Sequence, residues 1–118
     1  MDQPPIIFAS PQHRAARPEV FFNRGELNLI LNIYGRMVAA GHWKDYALDI
    51  GPDCAIFSVF RRASESPEYR IIKDPALAQK QGAYAILSTS GQTLKRGKSL
   101  ANALKLFERK LMKVIDGD

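Results

Sequence analysis

The sequence predicts an α+β domain with a mainly antiparallel sheet of about five strands, an N-terminal helix, a short middle helix and a long C-terminal helix. Three observations indicate this class. Residues 55–60 are apolar on both alternating sets of side chains, which is typical of a central strand covered on both faces. Apolar residues recur at helical spacing near both ends of the chain. Short turn-forming segments separate the strand-like runs, which favours hairpins.

The first predicted helix begins after Asn23. Asn23 is a favourable N-cap, and Glu26 stands three residues later, where its carboxylate can accept from the backbone N–H of the cap. Gly41 is expected to end the helix in the left-handed conformation. The apolar stripe comprises Leu27, Ile30, Leu31, Tyr34, Met37 and Val38. Leu29 and Ile33 lie beside this stripe, so we expect either a second element or a second subunit to cover them, and both are candidate oligomer contacts.

The polar side of this helix carries Asn28, Asn32 and Arg36 at intervals of four residues. Side chains at this spacing share one helix face, so two amides and a guanidinium could together hold a carboxylate or a phosphate. A solvated polar face explains the same pattern.

Alternation and turn residues predict five strands, over residues 46–50, 55–60, 69–73, 84–88 and 92–95. Asp74 and Pro75 are suited to the N-cap and first position of a short middle helix over residues 76–81, which Gly82 would close. The last strand is expected at an edge of the sheet, because Lys95 and Arg96 would discourage pairing with another chain.

The last predicted helix begins after Ser99, which is a favourable N-cap. Its apolar stripe is continuous and comprises Leu100, Ala103, Leu104, Phe107, Leu111, Val114 and Ile115. This stripe is expected to pack on the sheet. The sequence leaves open whether one helix covers each face of the sheet or both helices share one face, with a partner chain on the other.

Residues 1–20 contain four prolines among polar residues and show no periodicity, so they are predicted to form a disordered tail before a single domain over residues 21–118. Cys54 is the one cysteine, which excludes an intramolecular disulfide and fits a reducing compartment. No apolar run is long enough for a signal peptide or a membrane span. These features predict a cytoplasmic protein without a membrane partner.

The net charge of +5 is concentrated near the C-terminus. Residues 94–113 contain seven basic residues and one acidic residue, so this segment carries +6 and the rest of the chain −1. The basic residues are Lys95, Arg96, Lys98, Lys105, Arg109, Lys110 and Lys113. Such clustering predicts one positive face that binds an anion, nucleic acid or another acidic partner, and Arg61 and Arg62 would extend it if they lie on the same side. A solvated helix face explains the charges equally well.

Other chemistry finds little support in the sequence. Gly97, Lys98 and Ser99 suggest a phosphate-binding loop, but five residues separate Gly91 from Gly97, one more than that motif has. His42 could form an acid–base pair with Asp45, but a histidine near a helix end more simply interacts with the helix carbonyls. No histidine or cysteine spacing suits a metal. The sequence therefore predicts no catalytic residues, no metal and no cofactor, and it does not support an enzyme.

Several short motifs occur in the order found in a known family of small alphaproteobacterial proteins, which is described only as a domain of unknown function. They lie at residues 34–41, 43–46, 57–62, 69–71, 81–84 and 94–97. The chain resembles this family over roughly residues 21–115. The resemblance implies a bacterial cytosolic protein and brings no activity or site residues with it.

Three hypotheses follow. The first is a non-enzymatic binding module whose basic C-terminal helix engages a polyanion such as nucleic acid. The second is a homodimeric protein-interaction module with Leu29 and Ile33 at the subunit contact. The third is an enzyme that acts on a small anionic substrate through Arg36 or Arg61.

Overall fold

The computed structural model describes residues 19–62 and 66–117, and side chains as far as residue 112. Two α-helices flank five strands in the order α1 (Arg24–Ala39), β1 (Asp45–Ile50), β2 (Ala55–Phe60), β3 (Tyr69–Lys73), β4 (Tyr84–Ser88), β5 (Thr93–Gly97) and α2 (Leu100–Gly117). The strands form one sheet in the order β1-β2-β3-β4-β5, and each neighbouring pair is antiparallel. The α+β class, the five-stranded antiparallel sheet and the N-terminal and C-terminal helices are therefore confirmed.

The predicted middle helix over residues 76–81 is wrong. Pro75–Leu77 forms a single 3₁₀ turn, in which the Asp74 carboxylate accepts from the Ala76 N–H at 3.2 Å. The Leu77 carbonyl then accepts from the N–H groups of Lys80 and Gly82, which turns the chain into β4. A two-turn helix needs an apolar face to stabilise it. In residues 76–81, Leu77 is half-buried and the other five residues are exposed, so the segment has no apolar face to bury.

Both helices lie on one face of the sheet. Phe57, Ile71 and Ile86 lie side by side on neighbouring strands and are fully buried on this face. The Tyr34 ring of α1 lies 6.0 Å from the Phe57 ring, and the Phe107 ring of α2 lies 5.0 Å from the Tyr69 ring. The other face exposes part of Ile56, Phe60, Ile72 and Leu87. The two helices thus share one face, as in one of the two arrangements that the sequence left open, and the partner chain expected on the other face stays a prediction.

The start of α1 is anchored by a buried carboxylate. The predicted capping box is confirmed, because the Glu26 N–H donates to Asn23 Oδ1 and the Asn23 N–H donates to Glu26 Oε1, both at 2.8 Å. Lys73 Nζ donates to Glu26 Oε1 at 2.9 Å and to the Phe21 carbonyl at 3.0 Å. The Tyr84 hydroxyl donates to Glu26 Oε2. Glu26 therefore joins α1 to the ends of β3 and β4.

These contacts shift two pKa values in opposite directions. Burial raises the pKa of the Glu26 carboxyl, but hydrogen bonds from Lys73, Tyr84 and Asn23 and the Lys73 charge outweigh burial, so the pKa lies below 4.5. Burial, and then the hydrogen bond to Glu26, raise the pKa of Tyr84 from 10.0 to about 12. The fold thus favours a charged Glu26 and a neutral Tyr84.

We expect stability to fall at both ends of the pH range. The Glu26 contribution is present above pH 4.5, the unfolded value, and is lost as the pH falls through the lower folded pKa. The Tyr84 contribution is present below pH 10.0 and is lost as the pH rises towards about 12. Urea unfolding midpoints measured against pH test this expectation. Tyr84→Phe should flatten the alkaline part of the profile, and an equally steep alkaline loss in that variant would contradict the assignment.

The helix ends otherwise follow local signals. Gly41 adopts a φ of +85° just after α1, and the Asn102 N–H donates to Ser99 Oγ at 3.1 Å at the start of α2. The buried line of α1 differs from the predicted stripe, because it runs through Ile30, Ile33 and Met37. Leu31 and Val38 remain exposed.

The predicted tail over residues 1–20 lies outside the described residues except for its last two positions. There the Val20 N–H donates to the Gly51 carbonyl at 2.7 Å in an isolated bridge. Among the described helices, none has the length and apolar character needed to cross a membrane.

Candidate binding groove between the helices

The two helices lie side by side and run in roughly the same direction. At one end of the sheet, Glu26 near the start of α1 contacts Tyr84, and the register pairs Tyr84 with Gly97, just before α2. Further along, Arg36 of α1 forms a bidentate ion pair with Glu108 of α2, and both N–O distances are 2.9 Å. Arg36 therefore already binds a carboxylate of the chain itself. No contact with Glu108 is seen for Asn28 or Asn32, the other two described residues of that polar pattern.

An open groove of about 690 Å³ runs between α1 and α2 on the side away from the sheet. Ile33 and Leu104 form its floor, and Ile33 is 2% exposed, so α2 covers this residue within the chain. Leu29 and Met112 stay 44% and 60% exposed on the walls. The rims are polar and consist of Asn28 and Asn32 on α1, and of Lys105, Glu108 and Arg109 on α2.

The groove carries a positive charge. The Glu108 carboxylate, the one acidic group among the described lining residues, is paired with Arg36, which neutralises its charge. Lys105 and Arg109 are exposed, and neither forms a salt bridge with another described residue. A partner in this groove therefore meets an apolar floor, two amides and two cations.

The remaining cations of α2 do not all join this groove. Lys110 points to the side of the helix away from α1, where its Nζ lies 5.8 Å from the centre of the Tyr69 ring in a cation–π contact. The Lys113 side chain lies outside the described part of the chain. Leu106, beside these cations in the sequence, is half-buried and packs against the core.

The cations around β5 lie on different surfaces, because successive strand residues point to opposite faces. Lys95 pairs with Ile86 on the helix-covered face. Arg96 pairs with Ala85 on the other face, with its Nη1 3.5 Å from the Gly82 carbonyl. Lys98 is exposed in the connection to α2.

Arg61 and Arg62 follow the end of β2 and are exposed. Because Tyr69 pairs with Val59 near that end, these arginines lie at the same end of the sheet as Lys110. A pocket of about 350 Å³ beside Arg61 is lined by Ser66, Glu68 and Thr89. His42 does not line it. Across the described residues, no cluster of three histidine, cysteine or acidic side chains could hold a metal ion.

The structure therefore brings together Leu29, Ile33, Lys105 and Arg109, which the sequence assigned to two separate hypotheses. The groove itself was missed. Helical spacing placed each residue on its own helix face, but no local signal indicated that α1 and α2 would lie next to each other. The opposite charges of Arg36 and Glu108 are compatible with such a contact, but the sequence does not show that they pair.

The comparisons with known proteins assign a family without an activity. No curated protein and no solved structure matches the chain. The model of one family matches residues 20–104, which include α1, the whole sheet and the start of α2. This match confirms the resemblance to a domain of unknown function. The chain belongs to the family described as Protein of unknown function (DUF2794).

Proposed function

We propose that the chain is a non-enzymatic binding module that holds an acidic partner in the groove between α1 and α2. The observation that carries the proposal is the position of Lys105 and Arg109, which are exposed along one rim of an apolar groove. Cations beside an apolar floor suit a partner that is itself amphipathic and acidic.

The geometry best fits an acidic amphipathic helix. The exposed side chains of Leu29 and Met112 can pack against its apolar face, and Leu104 lies at the bottom between them. Acidic side chains beside that face would then reach Lys105 and Arg109. Two helices that lie side by side form a groove, and a third helix can pack into it with its ridges of side chains between theirs.

Nucleic acid is the second candidate partner, because further exposed cations lie outside the groove. Lys98 and Lys110 are exposed on α2 or just before it, and Arg61 is exposed at the same end of the sheet as Lys110. The described residues that line the groove include no aromatic side chain on which a base could stack. Binding would therefore depend on phosphate contacts and would weaken steeply with salt.

The double substitution Lys105→Glu with Arg109→Glu is expected to weaken binding of an acidic partner at least about tenfold, equivalent to about 1.4 kcal/mol. The reason is that both attractive rim charges become repulsive. Fluorescence anisotropy with a labelled synthetic helix, apolar on one face and rich in glutamate elsewhere, provides the measurement. The matched control is Lys44→Glu with Lys80→Glu, which makes the same change in net charge at exposed positions that do not line the groove.

The two partner classes are separated by apolar substitutions and by salt. Leu29→Gln and Met112→Gln should weaken binding of the synthetic helix and leave binding of labelled single-stranded and double-stranded oligonucleotides unchanged. For duplex DNA, the logarithm of the affinity should fall with the logarithm of salt by about 0.9 per phosphate contact. The proposal fails if the synthetic helix and the oligonucleotides show no binding even at low salt.

A further inference from the structure

A row of apolar side chains on the edge strand β1 stays partly exposed within the described part of the chain. Tyr46, Leu48 and Ile50 lie directly opposite Val59, Phe57 and Ala55 of β2, so both sets point to the face that carries the helices. The β2 residues are fully buried, because the helix layer covers them. Tyr34 of α1 contacts the Tyr46 ring, but the helix layer leaves Tyr46, Leu48 and Ile50 39–49% exposed.

The side of α1 next to this row is apolar as well. The Tyr34 ring lies 5.1 Å from the Tyr46 ring, so this side of the helix faces β1. Leu31 and Val38 stand three residues before and four residues after Tyr34, and therefore on the same side. Together with the β1 row they form a patch in which every member is 39–49% exposed: Leu31, Val38, Tyr46, Leu48 and Ile50. We call these five residues the β1 patch.

The two edges of the sheet differ in how they are protected. β5 carries Lys95 and Arg96, and its pairing with β4 contains a register irregularity between Ile86 and Leu87. Lysines and bulges are features by which natural sheets prevent pairing with another chain. Asp45–Ile50 contains no lysine, proline or glycine, and its pairing with β2 is regular. Among the described residues, no further strand pairs with the outer edge of β1, although the Tyr46 N–H donates to the Asp45 carboxylate at 2.8 Å.

We propose that a second copy of this chain pairs with β1 through its own β1, antiparallel, about a two-fold axis at Leu48. The two sheets then join into one of ten strands, with the helices of both copies on the same face. Leu48 faces Leu48 of the second copy, and Tyr46 faces Ile50. The two apolar rows become one continuous row between the two α1 helices, which covers side chains that one copy leaves exposed.

The charges of β1 select this register. Two symmetric registers pair five residues of the strand, with their axes at Ala47 and at Leu48. An axis at Ala47 sets Asp45 opposite Asp49 of the second copy, and directly opposed like charges destabilise a pair of strands. An axis at Leu48 sets Asp49 opposite Ala47 instead. Residues 46–50 then pair and stop short of Gly51, whose carbonyl already accepts from Val20.

The occupant is a second copy rather than an unrelated strand, because β1 itself has the pattern that its edge requires. A strand on this edge must alternate apolar side chains towards α1 with small or polar ones on the open face. Residues 46–50 do so in either copy. The site is separate from the groove, since Leu31 and Val38 lie on the β1 side of α1, while Leu29 and Asn32 lie on the α2 side.

The register gives a test in which one substitution breaks the dimer and a second restores it. Ala47 and Asp49 are both exposed, so either can be changed without disturbing the core. Ala47→Asp places two new carboxylates opposite the two Asp49 carboxylates. We expect the dissociation constant of the dimer to rise about tenfold, which corresponds to about 1.4 kcal/mol. Ala47→Asp combined with Asp49→Lys turns both repulsions into attractions and should restore the dimer.

Sedimentation velocity of the full chain over a range of concentrations provides the measurement, with circular dichroism to verify that each variant is folded. A monomeric wild-type protein at every concentration would overturn the proposal and favour an unrelated strand or no occupant. A dimer that responds equally to the single and the double variant would also overturn it, because the register would then be wrong.

A cross-linking experiment tests the axis directly. The residue on the axis faces its own copy at a Cβ separation of about 4.5–5.5 Å, which meets the upper end of the range of about 3.5–4.5 Å found in disulfides. In a Cys54→Ala background, Leu48→Cys is expected to form a covalent dimer on mild oxidation. Tyr46→Cys faces Ile50 and is expected to stay uncross-linked. Cross-linking through position 46 but not through position 48 would contradict the proposed axis.

Discussion

Replacing Glu26 by alanine is expected to lower the free energy of unfolding by about 3 kcal/mol, a large part of the stability of a small domain. The substitution leaves Lys73 Nζ and the Tyr84 hydroxyl without the carboxylate that now accepts from both. It also removes one half of the capping box of α1. Removal of one partner of a buried ion pair is costly because the other charge stays desolvated. Lys73 keeps some contact with solvent, which places the effect at the low end of the usual range.

Urea or thermal unfolding measures this loss, and two variants serve as controls. Glu108→Ala breaks the exposed ion pair with Arg36, in which both side chains are more than two-fifths exposed, so we expect a change within about 1 kcal/mol. Glu26→Gln keeps the shape and the reach of the side chain but not its charge, so it should fall between wild type and Glu26→Ala. Equal effects of Glu26→Ala and Glu108→Ala would show that the buried cluster does not stabilise the fold.

The parts of this fold that the sequence predicted depend on interactions within a few residues. Asn23 and Glu26 are three residues apart, and their capping box could be identified from the residue types alone. The strands follow from alternation, and the positive φ of Gly41 follows from its place after a helical stripe. In each case the physical cause lies within one or two turns of chain.

Contacts between distant residues could not be predicted in this way. Glu26 meets Lys73 and Tyr84 across 47 and 58 residues, and Arg36 meets Glu108 across 72. Each contact depends on the direction in which a helix crosses the sheet. The parallel course of α1 and α2 creates the groove, and periodicity within one helix carries no information about that course.

The rotation of α1 illustrates the same limit. Its apolar arc is wide enough to include Leu29 and Ile33 on one flank and Leu31 and Val38 on the other. A wide arc indicates that more than one surface is covered, but not which residues the sheet buries. In the structure α2 covers Ile33, while Leu31 and Val38 stay exposed beside β1. This rotation of α1 produces the β1 patch, which the sequence alone did not predict.

Replacing Gly82 by alanine is expected to destabilise the fold by about 3 kcal/mol or more, through backbone strain and a direct clash. Gly82 adopts a φ of +104°, where a side chain is strained. A Cβ at this position would lie 2.2 Å from the carbonyl carbon of Gly97 and 2.7 Å from the Lys98 nitrogen. Both atoms belong to the backbone that joins β5 to α2, so the clash cannot be relieved by rotation of a side chain. The start of α2, and with it one wall of the groove, would have to move.

Two other glycines separate the effect of backbone strain from the effect of the steric clash. Gly41 has a φ of +85°, but a Cβ at this position would meet no atom within 4 Å, so Gly41→Ala should cost only the strain of about 1–2 kcal/mol. Gly35 lies in the middle of α1 with open space around it, so Gly35→Ala should stabilise the protein by about 0.5–1 kcal/mol. Chemical denaturation of the three variants measures their free energies of unfolding and so gives the order of their stabilities. If Gly82→Ala cost no more than Gly41→Ala, the close approach of the backbone at Gly97 would not constrain the fold, and the position of α2 would have to depend on its apolar stripe alone.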